Sequence, residues 1–344
     1  MALICFANVL FAILVLSSST FADSTQSAES ENKASATPSG LLGFWTLELN
    51  SGEPAWMHIS KVNGQWEARM RVYIGPDGPY KVTELDGGRI RFSLKPKRKM
   101  KGSRVFIQRD VEVGIVNDKL VGVLIHTPND GSQVERIGLT GNRVSPMPTS
   151  PPNLSKVRFG LPILLFNGEN LKGWRTHETN KINGWCVKDG MLVNETPKTD
   201  FSATGAYANL RTEAEFEDFW LHAEFLIEKD RNSGIYLRGM YEAQVVDRDS
   251  RMQGLQGVGA IFGKIAPSSR AGKPGGEWQT YDLTLVDRHI TVVLNGVKVI
   301  DNKPVNSPTA GAILTDPSAP GPIYLQGDHT AVRYRNIYLA PVKK

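Results

Sequence analysis

Residues 281–286 read YDLTLV and residues 290–294 read ITVVL, and the pair Asn295-Gly296 follows the second run. Short apolar runs that end at turn residues predict β-strands, and Asn-Gly is a preferred hairpin turn because both residues accept positive φ. The pattern recurs at residues 220–227 and 234–238, and no long stretch has the apolar period of a helix. This half of the chain is therefore predicted to be a two-sheet jelly roll.

The N-terminal half also contains short β-rich runs that are bounded by turn residues. Asn63-Gly64 and the run 86–88 (DGG) suit tight hairpins, since glycine adopts positive φ without strain. Antiparallel strands of this length predict a small barrel-like domain. The runs lie at residues 56–59, 66–72, 89–94 and 120–125.

Composition changes along the chain divide it into five segments. An apolar run and a small-residue stretch predict a signal peptide, and the run is short for a membrane anchor, which needs about 20 residues. We therefore expect export to the periplasm or outside the cell, without stable membrane insertion after cleavage. The segments are the signal peptide (1–22), a disordered leader (23–40), the barrel-like domain (41–145), a proline-rich linker (146–159) and the jelly roll (160–344).

Cysteine content and charge exclude several functional classes. Cys5 lies in the signal peptide, so the mature chain keeps Cys186 alone and forms no internal disulfide. The net charge is +5, and a basic run between Lys95 and Arg104 has no interleaved aromatic residues. That run is typical of a solvated hairpin tip, and no nucleic-acid partner is predicted.

Metal and cofactor motifs are also missing from the sequence. The six histidines are scattered, with no His-Glu-x-x-His helix and no paired cysteines. No glycine-rich nucleotide fingerprint follows a strand and opens a helix. We therefore predict neither a metal nor a cofactor.

The C-terminal half carries an ordered series of motifs. They lie at residues 165–174 (LFNGENLKGW), 185–192 (WCVKDGML), 219–225 (FWLHAEF), 231–238 (RNSGIYLR), 241–247 (YEAQVVD), 276–279 (GEWQ), 294–296 (LNG), 321–329 (GPIYLQGDH) and 333–337 (RYRNI). Together, over about residues 160–341, they resemble the 3-keto-disaccharide hydrolase family. One departure is Gln279, where the family often has asparagine after Glu-Trp.

This resemblance implies a concanavalin-like jelly roll that cleaves disaccharides oxidised at C3, with a sugar oxidoreductase as an expected partner. The fold class is accordingly all-β, with a jelly-roll β-sandwich preceded by a small antiparallel barrel-like domain. The expected partner molecule is a carbohydrate, either an oxidised disaccharide or a related glycoside.

Two neighbouring strands carry the candidate site. The two-residue period of a strand places Glu242 and Gln244 on one face, about 7 Å apart. On the preceding strand, Asn232, Tyr236 and Arg238 share one parity. An acid, amides, an aromatic ring and a guanidinium on one surface would suit a sugar. Trp278 and Gln326 complete the predicted substrate-binding set.

A 3-keto sugar needs a particular set of catalytic groups. Its ketone acidifies the C2 hydrogen, so the glycosidic bond can leave by elimination and water can add afterwards. This route needs a base, a stabiliser of the enolate oxygen and an acid at the leaving oxygen. Glu242 is the candidate base or acid, Arg238 or His329 the stabiliser, and Gln244 and Gln326 the positioning amides.

Structural roles for the same residues remain open. Arg238 and Glu242 could form a cross-strand ion pair, Asp328-His329 could cap a turn, and Trp278 could be a core residue. The alternative functions are a non-catalytic carbohydrate-binding module, since the fold also binds sugars without cleaving them, and an envelope scaffold protein. An enzyme requires a second proton-transfer group within reach of Glu242.

Overall fold

A computed structural model describes residues 38–100, 102–197 and 205–343. The predicted signal peptide and residues 23–37 of the predicted leader lie outside this part of the chain. Within it the chain is almost entirely β-structure, with short 3₁₀ helices at Pro38–Leu41, Asp86–Gly88 and Gly254–Gln256. No helix among these described residues is long and apolar enough to cross a membrane.

The first eight strands form a closed antiparallel barrel in which each strand pairs with the next and β8 returns to β1. They are β1 (Gly43–Leu49), β2 (Pro54–Val62), β3 (Gln65–Val72), β4 (Tyr80–Leu85), β5 (Arg89–Arg98), β6 (Phe106–Val116), β7 (Lys119–Pro128) and β8 (Glu135–Arg143).

Side-chain alternation explains why these strands close around an apolar interior. In β5, Ile90, Phe92 and Leu94 are buried while the residues between them are exposed. The strand period of two directs such alternate side chains to opposite faces, so one face of each strand fills the barrel. Trp45 lies in this core, and its Nε1 donates a hydrogen bond to the Leu41 carbonyl at 2.8 Å.

The remaining strands form a two-sheet sandwich. They are β9 (Ile163–Leu164), β10 (Trp174–Thr176), β11 (Trp185–Lys188), β12 (Met191–Asn194), β13 (Leu210–Thr212), β14 (Phe219–Leu226), β15 (Ser233–Leu237), β16 (Tyr241–Val245), β17 (Trp278–Val286), β18 (His289–Leu294), β19 (Val297–Pro304), β20 (Tyr324–Leu325) and β21 (Val332–Pro341). One sheet has five strands in the order β10-β13-β20-β15-β16. The other has eight, in the order β11-β12-β21-β14-β17-β18-β19 with β9 beside β21.

The two sheets enclose an apolar core that includes Ile235, Ala243, Leu283 and Tyr334. The all-β fold, with a jelly-roll sandwich preceded by a small barrel, is thereby confirmed. The barrel strands fall within residues 41–145 and the sandwich strands within 160–344. The domain limits themselves stay predictions. In the predicted linker, the Pro152 carbonyl accepts a hydrogen bond from Asn302 Nδ2 at 2.9 Å.

Candidate active site

The outer face of the five-stranded sheet carries a row of polar side chains. Tyr236 is paired with Glu242 on one neighbouring strand and with Tyr324 on the other. Their neighbours in sequence, such as Ile235 and Ala243, point into the sandwich core. Strand alternation therefore places Tyr324, Tyr236 and Glu242 side by side on the face that turns away from this core.

Gly234 makes room for the Glu242 carboxyl group. A Cβ atom built on Gly234 would lie 2.4 Å from Glu242 Oε1, closer than any side chain tolerates. The carboxyl group thus occupies the space above this glycine. The motif has glycine two residues before Tyr236 for a steric reason, because any side chain at that position would displace the Glu242 carboxyl group.

The row forms one wall of a cavity of about 160 Å³ that is lined by both polar and apolar groups. Loops above the sheet and one loop of the barrel close it. The lining residues are Tyr73, Ile74, Asn209, Asn232, Tyr236, Glu242, Phe262, Ala310, Gly311, Tyr324, Gln326, Asp328 and His329.

Glu242 is an acid kept largely neutral by its surroundings. Its side chain is buried, and burial, opposed by hydrogen bonding with Tyr236 and reinforced by the charge of Asp328, raises its pKa to about 8. Burial likewise raises the pKa of Tyr236 well above its ordinary value. A carboxyl group with a pKa near neutrality can both donate and accept a proton under ordinary conditions. Perturbed acids of this kind cluster at functional sites.

A second proton-transfer group lies in the same cavity. His329 Nδ1 is 2.6 Å from Asp328 Oδ1, and both side chains are largely buried. Asn209 fixes this segment, because its Oδ1 accepts the backbone N–H groups of Gly327 at 2.7 Å and Asp328 at 3.2 Å. A carboxylate on Nδ1 fixes the orientation of the imidazole ring. The cavity therefore holds two groups that can move protons.

Gln326 offers an amide to a ligand. Its Nε2 donates to the Tyr236 hydroxyl at 3.4 Å, and that hydroxyl donates to the Ala310 carbonyl at 2.9 Å. The buried Oε1 of Gln326 has no hydrogen-bond partner within the described part of the chain. Buried polar atoms in proteins are nearly always hydrogen-bonded, so an orphaned amide oxygen in this cavity is suited to accept a ligand hydroxyl.

A larger groove of about 330 Å³ lies elsewhere on the sandwich. Its carboxyl side chains, Glu195 and Glu228, are exposed to solvent, and Glu195 is paired with Lys188. Among the described residues that line this groove there is no histidine. The smaller cavity at Glu242 is therefore the better candidate for chemistry.

Comparison with known protein families agrees with the sequence motifs. A family model described as the 3-keto-alpha-glucoside-1,2-lyase-like domain matches residues 162–340. The chain belongs to this family. It is the family that the ordered sequence motifs resemble, so that prediction is confirmed. Membership supports a glycoside-cleaving activity of the hydrolase type. No curated protein matches this chain.

The solved structures that resemble this protein cover a little over half of its chain. A candidate glycosyl hydrolase from Parabacteroides distasonis ATCC 8503 is 19% identical, with a TM-score of 0.42 over 53% of this chain and 94% of that one. A second such protein from that organism is 24% identical, with a TM-score of 0.41 over 58% and 93%. SCLam, a non-specific endo-beta-1,3(4)-glucanase from family GH16, is 13% identical, with a TM-score of 0.33 over 57% and 93%. The fold described above rests on the strand order.

The structure brings five of the eight predicted site residues of this family member together. Glu242 and His329, predicted as catalytic, line the cavity. Three of the predicted substrate-binding residues, Asn232, Tyr236 and Gln326, line it as well. The roles assigned to these residues stay predictions.

Arg238, the third residue predicted as catalytic, does not line the cavity. It follows the end of β15, where a turn begins, and its φ of 56° takes its side chain out of the strand alternation. Its Nη2 donates to the Pro317 carbonyl at 2.8 Å and to that of Ala319. No ion pair joins Arg238 to Glu242 in the part of the chain that the structure describes.

Gln244 and Trp278 also lie outside the lining. Gln244 shares the outer face with Glu242, but its Nε2 donates to the Gln256 carbonyl at 3.1 Å and so holds a neighbouring loop. Trp278 lies on the opposite sheet, where the Arg335 guanidinium is 4.0 Å from its ring centre. Neither contributes a contact to the cavity at Glu242.

Several lining residues are missing from the sequence prediction. Tyr324 and Asp328 belong to the quoted motif 321–329, and the parity of Tyr324 with Gln326 was a usable signal. Tyr73 and Ile74 come from the barrel, where no local pattern marks them. No cluster of three or more potential metal-ligating side chains exists among the described residues.

Proposed function

We propose that this protein cleaves 3-keto-glycosides, above all disaccharides oxidised at C3, in the cavity at Glu242. One observation carries the proposal: a buried carboxyl group with a pKa of about 8 shares a small cavity with the Asp328–His329 pair. A largely neutral acid beside an oriented imidazole supplies the two proton transfers that elimination requires.

The first half of the reaction removes the leaving sugar. His329, oriented by Asp328, takes the proton from C2 through Nε2, and the electron pair of that C–H bond forms an enolate with the C3 ketone. The enolate collapses, C1=C2 forms and the bond from C1 to the glycosidic oxygen breaks. Glu242 gives its proton to the departing oxygen. Tyr324 is a donor for the enolate oxygen, because burial raises its pKa and keeps its phenol protonated.

The second half of the reaction adds water across the C1=C2 bond and restores a saturated sugar ring. Water adds to C1, Glu242 takes one of its protons, and His329 returns a proton to C2. The products are a free 3-keto sugar and the released partner sugar, and both catalytic groups regain their starting states. This assignment makes His329 the base and leaves out Arg238, whose guanidinium is bonded to backbone carbonyls.

The decisive experiment is a product assay on the purified full chain in deuterium oxide. A 3-keto-disaccharide should release a 3-keto sugar with deuterium at C2, while the unoxidised disaccharide stays intact. Release without deuterium beyond the enzyme-free exchange would contradict an elimination in which His329 exchanges its proton with solvent before it returns one to C2. Binding without turnover would favour the carbohydrate-binding alternative.

Substitution of the acid tests its role. Glu242→Gln should lower kcat by about 10² to 10⁴, the usual contribution of general acid catalysis. Wild-type kcat should fall as the pH rises through about 8, since the proton that Glu242 donates is then lost. The matched control is Glu228→Gln, a change at an exposed carboxyl group outside the cavity. Full activity of Glu242→Gln would exclude this mechanism.

Location and supply of substrate are part of the same proposal. The N-terminal apolar segment supports export, and fractionation of producing cells tests it. A 3-keto sugar must come from an oxidation, so a sugar oxidoreductase is the proposed supplier. Cells that lack such an oxidation should accumulate no cleavage product.

A further inference from the structure

The loop between β3 and β4 of the barrel reaches the cavity of the sandwich. Tyr73 and Ile74 in this loop line the cavity, and Ile74 stays 60% exposed, so it lies at the rim. The Tyr73 carbonyl accepts the Gly311 N–H at 3.1 Å. A Cβ atom on Gly311 would lie 2.7 Å from the Tyr236 hydroxyl. Gly311 therefore lies between the barrel loop, which it contacts at Tyr73, and the Tyr236 hydroxyl on the outer face of the five-stranded sheet.

Largely buried charges fix this loop on the sandwich. Asp77 Oδ2 is 2.7 Å from Lys264 Nζ and 3.1 Å from Arg71 Nη2. Lys264 also donates to Ser307 Oγ at 2.8 Å, and Arg71 donates to the Pro308 carbonyl at 3.2 Å. Two of these contacts, Asp77 with Lys264 and Arg71 with Pro308, join the barrel to segments of the sandwich beside the cavity, and the other two hold Arg71 and Lys264 in place. The wall that the loop forms is therefore rigid and built into the fold.

Tyr73 lines the same cavity as Asp328 and His329. Burial, together with the nearby carboxylates of Asp328 and Glu178, raises the pKa of Tyr73 to about 12. Its phenol therefore stays neutral and can hydrogen-bond to a sugar hydroxyl beside Asp328. The backbone at Tyr73 has a φ of 49°, an unusual conformation for a bulky residue. Such a conformation is consistent with a functional constraint.

We infer that Tyr73 and Ile74 of the barrel set the substrate size, admitting one oxidised sugar ring with a short leaving group and excluding longer oligosaccharides. This inference rests on the proposed function. The cavity of about 160 Å³ is about half the lower limit of pockets for drug-sized ligands, roughly 300 Å³. Space of that size suits a single ring, and the barrel blocks its extension.

The test compares a 3-keto-disaccharide with a 3-keto-trisaccharide of the same oxidised ring and linkage. In the variant Tyr73→Gly/Ile74→Ala, the ratio of kcat/KM for the two should fall by about tenfold or more, because the trisaccharide gains access. Glycine accepts the positive φ at position 73, so this change removes a ring without adding strain.

Matched controls exist in the same barrel. Asn117→Gly alters an exposed residue whose φ is also 49°, and Val116→Ala alters an apolar residue that is 56% exposed. Neither residue lines the cavity, so both controls should keep the wild-type ratio. Melting temperatures of all variants verify that the double variant is folded.

The outcomes separate this inference from the proposed function. Disaccharide turnover with an unchanged ratio in the double variant overturns the size filter and leaves the function standing. If the wild type turns over neither substrate, the proposed function fails. Calorimetric Kd values of the two sugars for Glu242→Gln, with and without the barrel changes, then test the filter, and equal preferences would overturn it.

Discussion

The barrel and the sandwich bury different kinds of side chain. In the described part of the barrel, the buried polar residues are Arg71 and His126, and the interior is filled by apolar residues such as Trp45. The sandwich has an apolar core too, but it buries a second, polar layer outside its five-stranded sheet. Glu242, Asn209 and Gln326 belong to that layer. Burial in the barrel serves stability, whereas the polar burial in the sandwich costs stability and lines the cavity at which we propose chemistry.

Truncation of a side chain in the barrel core should have the largest effect on the free energy of unfolding. Trp45→Ala should lower the free energy of unfolding by about 4 kcal/mol, since a fully buried aromatic ring and its hydrogen bond are lost. Denaturant unfolding followed by circular dichroism measures the change. Val116→Ala, at an exposed barrel position, is the control. A loss below about 1 kcal/mol would show that the apolar barrel core does not carry the stability assigned to it.

Replacement of Glu242, the acid of the polar layer, should have the opposite effect and raise the free energy of unfolding. Below pH 4.5, its ordinary pKa, Glu242 is protonated in both the folded and the unfolded chain. As the pH rises towards about 8 the unfolded chain ionises and the folded one does not, so the free energy of unfolding falls. Glu242→Gln removes this loss and should be more stable than wild type at pH 8 by a few kcal/mol.

Urea unfolding of both proteins at pH 5, 6, 7 and 8 measures this difference. The advantage of Glu242→Gln should grow steadily through that window. A difference that does not depend on pH would mean that the Glu242 carboxyl is ionised in the folded protein.

Breaking the charged contact between the two regions should have a smaller effect. Asp77→Ala leaves Arg71 and Lys264 without their shared carboxylate and should cost about 2 kcal/mol. It should also raise trisaccharide cleavage, as the loop loosens. Thermal unfolding and the kinetic ratio are the measurements. The control Asp130→Ala removes an exposed carboxylate and should change neither the thermal stability nor the kinetic ratio. If Asp77→Ala and Asp130→Ala gave the same stability and the same ratio, the loop would not be fixed by Asp77.

The smallest expected change in stability is at Gly234. A methyl group there meets Glu242 Oε1, so Gly234→Ala should displace the carboxyl and cost about 1 kcal/mol. Activity should fall about tenfold, since a small misplacement of a catalytic group is expensive. Gly40→Ala is the matched control: like Gly234 it has no positive φ, and a Cβ atom there would lie 3.8 Å from its nearest neighbour, an ordinary contact. Full activity of Gly234→Ala would mean that the carboxyl position is not critical.

Local patterns predicted the fold and the centre of the site. Alternation and turn residues are properties of neighbouring residues, so they indicated both β regions and placed Tyr236 and Glu242 on one face. Alternation failed at Arg238, because positive φ in a turn breaks the period of two. Tyr73 could not be predicted, since its contact with the cavity depends on how the barrel packs against distant loops.

The position of β20 has a consequence for the nascent chain. This strand lies at the centre of the five-stranded sheet, between β13 and β15, yet among the described strands only β21 follows it in sequence. During synthesis the barrel can form early, because all of its strands precede the sandwich in sequence. The edges of β13 and β15 that pair with β20 remain unpaired until Tyr324 and Leu325 have left the ribosome. Such edges are sites of aggregation, which makes this late interval the vulnerable stage of biogenesis. Ribosome-stalled chains that lack the predicted signal peptide should therefore acquire a protease-resistant barrel well before they acquire activity.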